Sequence, residues 1–239
     1  CLPLIVNLSD SVVCNATIAD DVGVDDVFVV VTDPFSTEFE PEVNVVANNY
    51  YFTFSSTYYI EDYDVNWIAS DAFGNENDTK HDNFTVVDVT DPTFLSIAPT
   101  ASSVYEAGYV FNLVANVIDD YVIDSVFVNI TYPNTTSVFV ELPHFSGKKY
   151  NVSIPAPSLV GDYDVSFIVN DTSGNTNNGS STNFTVEDTT YPTVSVISPV
   201  SESSYGISDI VEIAVNSTDY VGVDYITVSV GYPNTSFTE

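Results

Sequence analysis

The chain has 239 residues, with 34 Asp and Glu against 3 Lys and Arg, a formal net charge of −31. At 44% hydrophobic it carries enough apolar surface for real cores, which excludes disorder from want of anything to bury. Three lysines and no arginine cannot form a basic patch, so nucleic-acid binding is excluded and an anionic bilayer is repelled.

No stretch approaches twenty apolar residues, and no basic-then-apolar leader opens the chain. The segment is therefore expected neither to insert in a membrane nor to carry its own export signal. Its ends look arbitrary, and a window cut from a longer mature protein is the expectation.

Taken in chain order, the apolar residues alternate. Val12, Cys14, Ala16 and Ile18 share one face of an early strand; Val27, Val29 and Val31 follow, alternating with Phe28 and Val30. Tyr63, Val65, Trp67 and Ala69 make a third such face, and the turn cluster Asp71-Ala72-Phe73-Gly74-Asn75 closes it. The next hundred residues repeat the series with Phe111, Leu113, Ala115 and Val117, then Val126, Val128 and Ile130, then Tyr163, Val165, Phe167 and Val169. A third series starts with Val211, Ile213 and Val215 in a strand expected over 209–218, followed by Ile226, Val228 and Val230. A period of two means half-buried strands, and Gly or Asn between them supplies the positive φ of turns.

The repetition is literal. Asp62-Tyr63-Asp64-Val65 recurs as Asp162-Tyr163-Asp164-Val165, an offset of 162 − 62 = 100. The same offset carries Asn83-Phe84-Thr85-Val86 onto Asn183-Phe184-Thr185-Val186, and Asp71, Gly74 and Asn75 onto Asp171, Gly174 and Asn175. About seven short strands per hundred residues is the arithmetic of an immunoglobulin-like β-sandwich. The fold class is thus all-β, in tandem domains expected over 1–90, 91–190 and, as a partial domain of three strands ending at Pro233-Asn234-Thr235, 191–239. The inward faces of that partial domain would lack a partner, so either the parent chain continues or another subunit completes it.

The pattern Asp-x-x-Gly-Asn, then Asn-Phe-Thr-Val, then a Thr-x-Pro linker resembles the Ig-like repeats of archaeal and bacterial surface proteins. That resemblance implies an extracellular structural role in an S-layer, surface filament or adhesin stalk, with self-association or other envelope proteins as partners. The sole Trp sits in the next-to-last strand, and the strand facing Cys14 carries Val65 and Trp67, so the inter-sheet disulfide of antibody domains is excluded.

Asparagine is the loudest signal. Among 21 Asn and 51 Ser and Thr, random placement gives roughly 4 to 5 Asn-x-Ser/Thr triplets, whereas there are 12. They start at Asn7, Asn15, Asn77, Asn83, Asn129, Asn134, Asn151, Asn170, Asn178, Asn183, Asn216 and Asn234. Asn15, Asn129, Asn151, Asn183 and Asn216 are expected on outward strand faces, where an N-glycan fits.

The acids suggest a structural Ca²⁺. In a tandem array, Asp88 and Asp91 from the linker, Asp119 and Asp120 after a second strand, and Asp171 after a sixth should gather at the first junction. Asp188, Asp219 and Asp162 should gather at the next. Several hard oxygens from several loops are what Ca²⁺ takes, although most carboxylates in so acidic a chain are solvated.

Catalysis finds no support. His81 and His144 lack partners at metal spacing, and no nucleophile elbow, phosphate loop or His-Glu-x-x-His is present. The runs Asn49-Tyr50-Tyr51-Phe52 and Thr57-Tyr58-Tyr59 keep an adhesin or carbohydrate-binding alternative open, in which aromatic loops of the first domain grip a sugar. Cys1 and Cys14 have no counterparts in the other repeats. They either bond to each other, or Cys14 is a small core residue.

Overall fold

The computed structural model describes residues 1–232 and 237–238. The described chain is all strand and turn. The first repeat runs β1 (Ile5–Asn7), β2 (Val12–Thr17), β3 (Val24–Thr32), β4 (Glu38–Phe39), β5 (Asn44–Val46), β6 (Asn49–Phe54), β7 (Glu61–Asp71) and β8 (Glu76–Val87). The second runs β9 (Thr93–Ala98), β10 (Ser103–Glu106), β11 (Val110–Ile118), β12 (Ile123–Thr131), β13 (Ser137–Glu141), β14 (His144–Ser146), β15 (Lys149–Pro155), β16 (Gly161–Asp171) and β17 (Thr176–Glu187). The third contributes β18 (Thr193–Ser198), β19 (Ala214–Thr218), β20 (Val230–Gly231) and β21 (Phe237–Thr238).

The sheet order is that of tandem immunoglobulin-like sandwiches. One sheet of the first repeat is β1-β8-β7-β3-β4 and the facing one is β2-β6-β5; the second repeat has β10-β17-β16-β12-β13 and β14-β15-β11-β9. β1 and β10 each run parallel to the last strand of their repeat, and β2–β6, β3–β7, β7–β8, β9–β11 and β11–β15 are antiparallel pairs. The chain divides into two compact units, Cys1–Pro92 with Asp119–Asp124 and Asn170–Thr176, and Thr93–Ile118 with Ser125–Val169 and Asn177–Glu239.

The alternating residues form the cores. Val12 and Cys14 of β2 and Phe52 and Phe54 of β6 face Val29, Val31, Tyr63, Val65, Trp67, Phe84 and Val86, all buried. Each such side chain contributes about 1.5–3 kcal/mol by leaving water. Tyr63 stacks on Phe84 at 5.1 Å between centroids, and Tyr163 stacks on Phe184 at 4.8 Å, so the two cores share an aromatic pair as well as a pattern. Cys14 lies in the core and is disulfide-bonded to half-buried Cys1 within its own sheet layer.

The third repeat is different. Its expected strand over 209–218 is regular only from Ala214, and the strand expected around Ile226 is regular only at Val230–Gly231. Val211, Ile213, Ile226, Val228 and Val230 are exposed and Val215 is half-buried. Among the described residues no second sheet covers these faces, and without that burial a lone two-stranded ribbon has little to offset the cost of ordering its backbone. The expected end at Pro233-Asn234-Thr235 and the triplet at Asn234 lie outside the described residues.

Candidate functional site

The first unit gathers three carboxylates. Oxygens of Asp88, Asp119 and Asp120 all lie within 4.8 Å of one another. Asp88 follows β8 and is only 6% exposed, Asp119 is half-buried and Asp120 is exposed. One oxygen of Asp88 accepts from Thr90 N–H at 3.0 Å, and one of Asp119 accepts from Tyr121 N–H at 3.1 Å. The other oxygens, Asp88 Oδ2 and Asp119 Oδ1, are buried without a hydrogen-bond partner. Burial, reinforced by the charges of Asp88, Asp120 and Asp171, pushes the Asp119 carboxyl above its ordinary range. Buried carboxylate oxygens without a hydrogen-bond partner, in carboxylates this close together, are costly unless a cation or proton compensates them. The all-oxygen donor set suits a hard ion of the Ca²⁺ type, with water completing the shell.

Asp171 stands nearby but its oxygens are engaged. Oδ1 accepts from the N–H of Ser173 and of Asn175, both at 2.8 Å, and Oδ2 accepts from Asn175 Nδ2 at 2.7 Å. Asp71 does the same for Phe73 and Asn75. Burial would raise the Asp171 carboxyl, yet the Asn175 side chain and the backbone amides outweigh it and hold it low. The repeated Asp-x-x-Gly-Asn string is thus a self-capped turn, with Gly74 at φ +84° and Gly174 at φ +95° where a side chain would strain it. The remaining acids are dispersed. Asp91 is exposed, Asp162 accepts from the Thr185 hydroxyl, Asp188 caps Thr190, and Asp219 caps Val221 and Gly222. Among the described residues Asp162, Asp188 and Asp219 do not form a cluster, although Asp219 also keeps one buried unpartnered oxygen.

A clamp that sequence reading missed recurs in both full repeats. Asn7, at the end of β1, accepts from Val89 N–H at 3.1 Å and donates to the Thr90 hydroxyl at 3.3 Å. Glu106, at the end of β10, accepts from the amides and hydroxyls of Thr189 and Thr190 at 2.8–3.1 Å. The offsets 106 − 7 = 99 and 189 − 89 = 100 make these the same position. Each repeat fastens its own outgoing segment, with different side chains, which is why string matching passed over it.

Of the sequon asparagines, Asn15, Asn77, Asn83, Asn134, Asn178, Asn183 and Asn216 are exposed, while Asn7, Asn129, Asn151 and Asn170 are half-buried. Asn129 and Asn151 point away from the core but bury their Oδ1 atoms, so their faces are partly covered. At Asn77 and Asn134 the side-chain oxygen accepts from both the amide and the hydroxyl of the sequon threonine.

The histidines sit apart: His81 is exposed on β8, and His144 bonds the Gly147 carbonyl and meets the Tyr150 ring. The run Asn49–Phe52 expected as an aromatic loop lies instead on strand β6, paired with β2 and β5, with Phe52 buried and Tyr50 half-buried, whereas Tyr58 and Tyr59 are exposed, Tyr59 meeting exposed Phe35 edge-on at 4.7 Å.

No family model matches the chain, and no curated protein matches it. Among solved structures it is similar to the fibronectin(III)-like modules of Clostridium thermocellum CbhA, with 16% identity over 78% of this chain and 92% of that one and a TM-score of 0.36. It is similar also to a tetra-tandem repeat in the extending region of a large adhesion protein, with 22% identity, 80% of this chain, 49% of that one and a TM-score of 0.44. The titin domains z1z2 in complex with telethonin give 12% identity, 77% and 90% coverage and a TM-score of 0.39.

Proposed function

We propose that the chain is a structural, extracellular module of a glycosylated prokaryotic surface layer, filament or stalk, of archaeal type, made of Ig-like repeats that self-associate or join other envelope proteins. The observation that carries this reading is the recurrence of fastening contacts. The Asp71 and Asp171 turns and the Asn7 and Glu106 clamps tie each repeat to its own chain, as a spacer requires, and present no reactive group. Ca²⁺ held by Asp88, Asp119 and Asp120 would add a further tie between the segment after β8 and the Asp119–Asp124 loop of the same unit.

The test is glycopeptide mapping of the protein isolated from its native cells. Glycans are expected at exposed Asn77, Asn83, Asn134, Asn178 and Asn183, and not at Asn7, whose amide holds Thr90. Protein recovered from the cell interior with every sequon bare would overturn the reading. An adhesin that grips sugar with Phe35, Tyr58 and Tyr59 is the second reading, favoured by their exposure. Oligosaccharide binding that disappears in Tyr59→Ala would favour it instead.

A further inference from the structure

Two of the chain's three basic side chains, Lys148 and Lys149, stand together at the β14–β15 hairpin. β14 is the outer strand of its sheet, paired only with β15, so the hairpin lies on an open edge. His144 bonds the Gly147 carbonyl at 2.9 Å and Gly147 takes φ 56°, which holds the turn. Lys148 is exposed. Lys149 is half-buried, with its Nζ 5.0 Å from the centre of the Phe145 ring, and that ring is 66% exposed. Among the described residues neither lysine has an ion-pair partner, although the chain carries 34 carboxylates. Lys80, the third basic residue, lies on β8 among Glu76, Asp78 and Asp82.

The first repeat carries the opposite charge at the same place. Residues 38–49 correspond to 137–149, at offsets of 137 − 38 = 99 and 149 − 49 = 100. Asn44, Asn48 and Asn49 stand where His144, Lys148 and Lys149 do, and ahead of them come Glu38, Glu40 and Glu42. The stretch 38–49 therefore totals −3, against 2 − 1 = +1 for 137–149, where Glu141 is the one acid. β4 is likewise an outer strand, paired only with β3. Phe39 and Val43 turn inward onto the core, so the three glutamates, all exposed, line the outward side of β4 and its continuation. Pro41 in their midst removes a backbone donor, which suits this edge to side-chain contact and not to strand addition.

We propose that the β14–β15 hairpin of one chain docks on the glutamate edge of a second copy. Lys148 and Lys149 meet Glu38, Glu40 and Glu42, and the contact covers the Phe145 ring. The charges choose the occupant. Two hairpins repel each other, as do two glutamate edges, so hairpin meets edge and the contact joins unlike repeats. Chains of charge −31 repel over the rest of their surface, so the one basic edge decides where and in which orientation they touch. The inference rests on the self-association within the reading above and goes beyond it by naming the two surfaces that meet.

The test is sedimentation of the whole chain in 0.15 M NaCl, where screening limits the general repulsion to about 8 Å and spares charges in contact. The parent chain is expected to associate reversibly. Reversing the hairpin, with Lys148→Glu and Lys149→Glu, should weaken association by about tenfold or more, because attraction becomes repulsion. Reversing the edge, with Glu38→Lys, Glu40→Lys and Glu42→Lys, should do the same. An equimolar mixture of the two variants, and a chain carrying all five substitutions, should regain association, which also shows that the variants are folded. Net charge alone predicts the opposite for the edge variant, whose charge drops to −31 + 6 = −25. Association of that variant equal to the parent's overturns the proposal, as does a mixture no stronger than either variant alone. A parent chain that stays monomeric at millimolar concentration overturns it too, and leaves the surface-module reading to glycopeptide mapping, which decides that reading independently.

Discussion

Glu106 shows how one carboxylate in a chain of charge −31 stays ionised without a cation. Hydrogen bonds from the Thr189 hydroxyl, then from the Thr190 hydroxyl and both amides, hold it down to about 2 from an ordinary 4.5. A folded-state value below the unfolded one contributes stability at pH above 4.5 that is lost as the pH falls through 2. Asp119 works in the opposite sense: burial first, then the neighbouring charges of Asp88, Asp120 and Asp171, raise it, so protonation in acid relieves the folded state. The clean quantity is therefore the difference between Glu106→Gln and the parent chain. In urea melts from pH 6 down to pH 2, the variant is expected to start less stable and to lose less as the pH falls. Parallel curves would show that the clamp adds nothing. The motif Asp-x-x-Gly-Asn was plain in the sequence as a repeated string, but whether Asp171 was a free ligand depended on Asn175 Nδ2, which no spacing rule reveals. Asn7 and Glu106 were hidden for a related reason: two unlike side chains perform the same task at one position.

Among the elements, alternation was enough to read the cores. Tyr63, Val65 and Trp67 on β7 and their counterparts on β16 face inward because a strand turns every second side chain the same way. The pairing of Leu2 with Val13 along the outer edge of β2 was not legible, since an isolated bridge leaves no alternating run to read. The start of β7 carries a second local exception. Glu61 has φ 120°, a conformation natural to glycine, and the equivalent residue of β16 is Gly161 at φ 131°. Holding a non-glycine residue there costs of order 1–3 kcal/mol. Glu61→Gly should therefore stabilise the chain by about 1 kcal/mol after the added freedom of the unfolded glycine is set against the relieved strain. Glu61→Ala is the control, because it removes the same charge and keeps the strain. Thermal melts that rank Ala level with Gly would trace the gain to charge, and a loss of stability in Glu61→Gly would show that the backbone here is unstrained.

For the whole molecule, the dominating fact is 34 carboxylates against 3 basic side chains. Their mutual repulsion falls hardest on the compact state, and salt shortens its reach from about 30 Å at 0.01 M to about 8 Å at 0.15 M. The melting temperature is therefore expected to rise over that range of NaCl. Ca²⁺ should act on top of this general screening and through one place. With ionic strength held constant, millimolar Ca²⁺ should raise stability further, by about 2.7 kcal/mol at a hundredfold excess over its Kd. Asp88→Asn separates the two effects. Asp88 keeps one buried, unpartnered oxygen beside Asp119, so without Ca²⁺ the neutral amide relieves like-charge repulsion and should leave the chain at least as stable as the parent. With Ca²⁺ the same variant should lose the extra increment while keeping the full response to NaCl. If Asp88→Asn retains the Ca²⁺ increment, the ion acts elsewhere on this acidic surface. If neither protein responds to Ca²⁺ beyond matched NaCl, the three carboxylates hold no ion, and the segment after β8 is held by hydrogen bonds, among them those of Asn7 with Val89 and Thr90 and that of Asn175 to the Asp88 carbonyl.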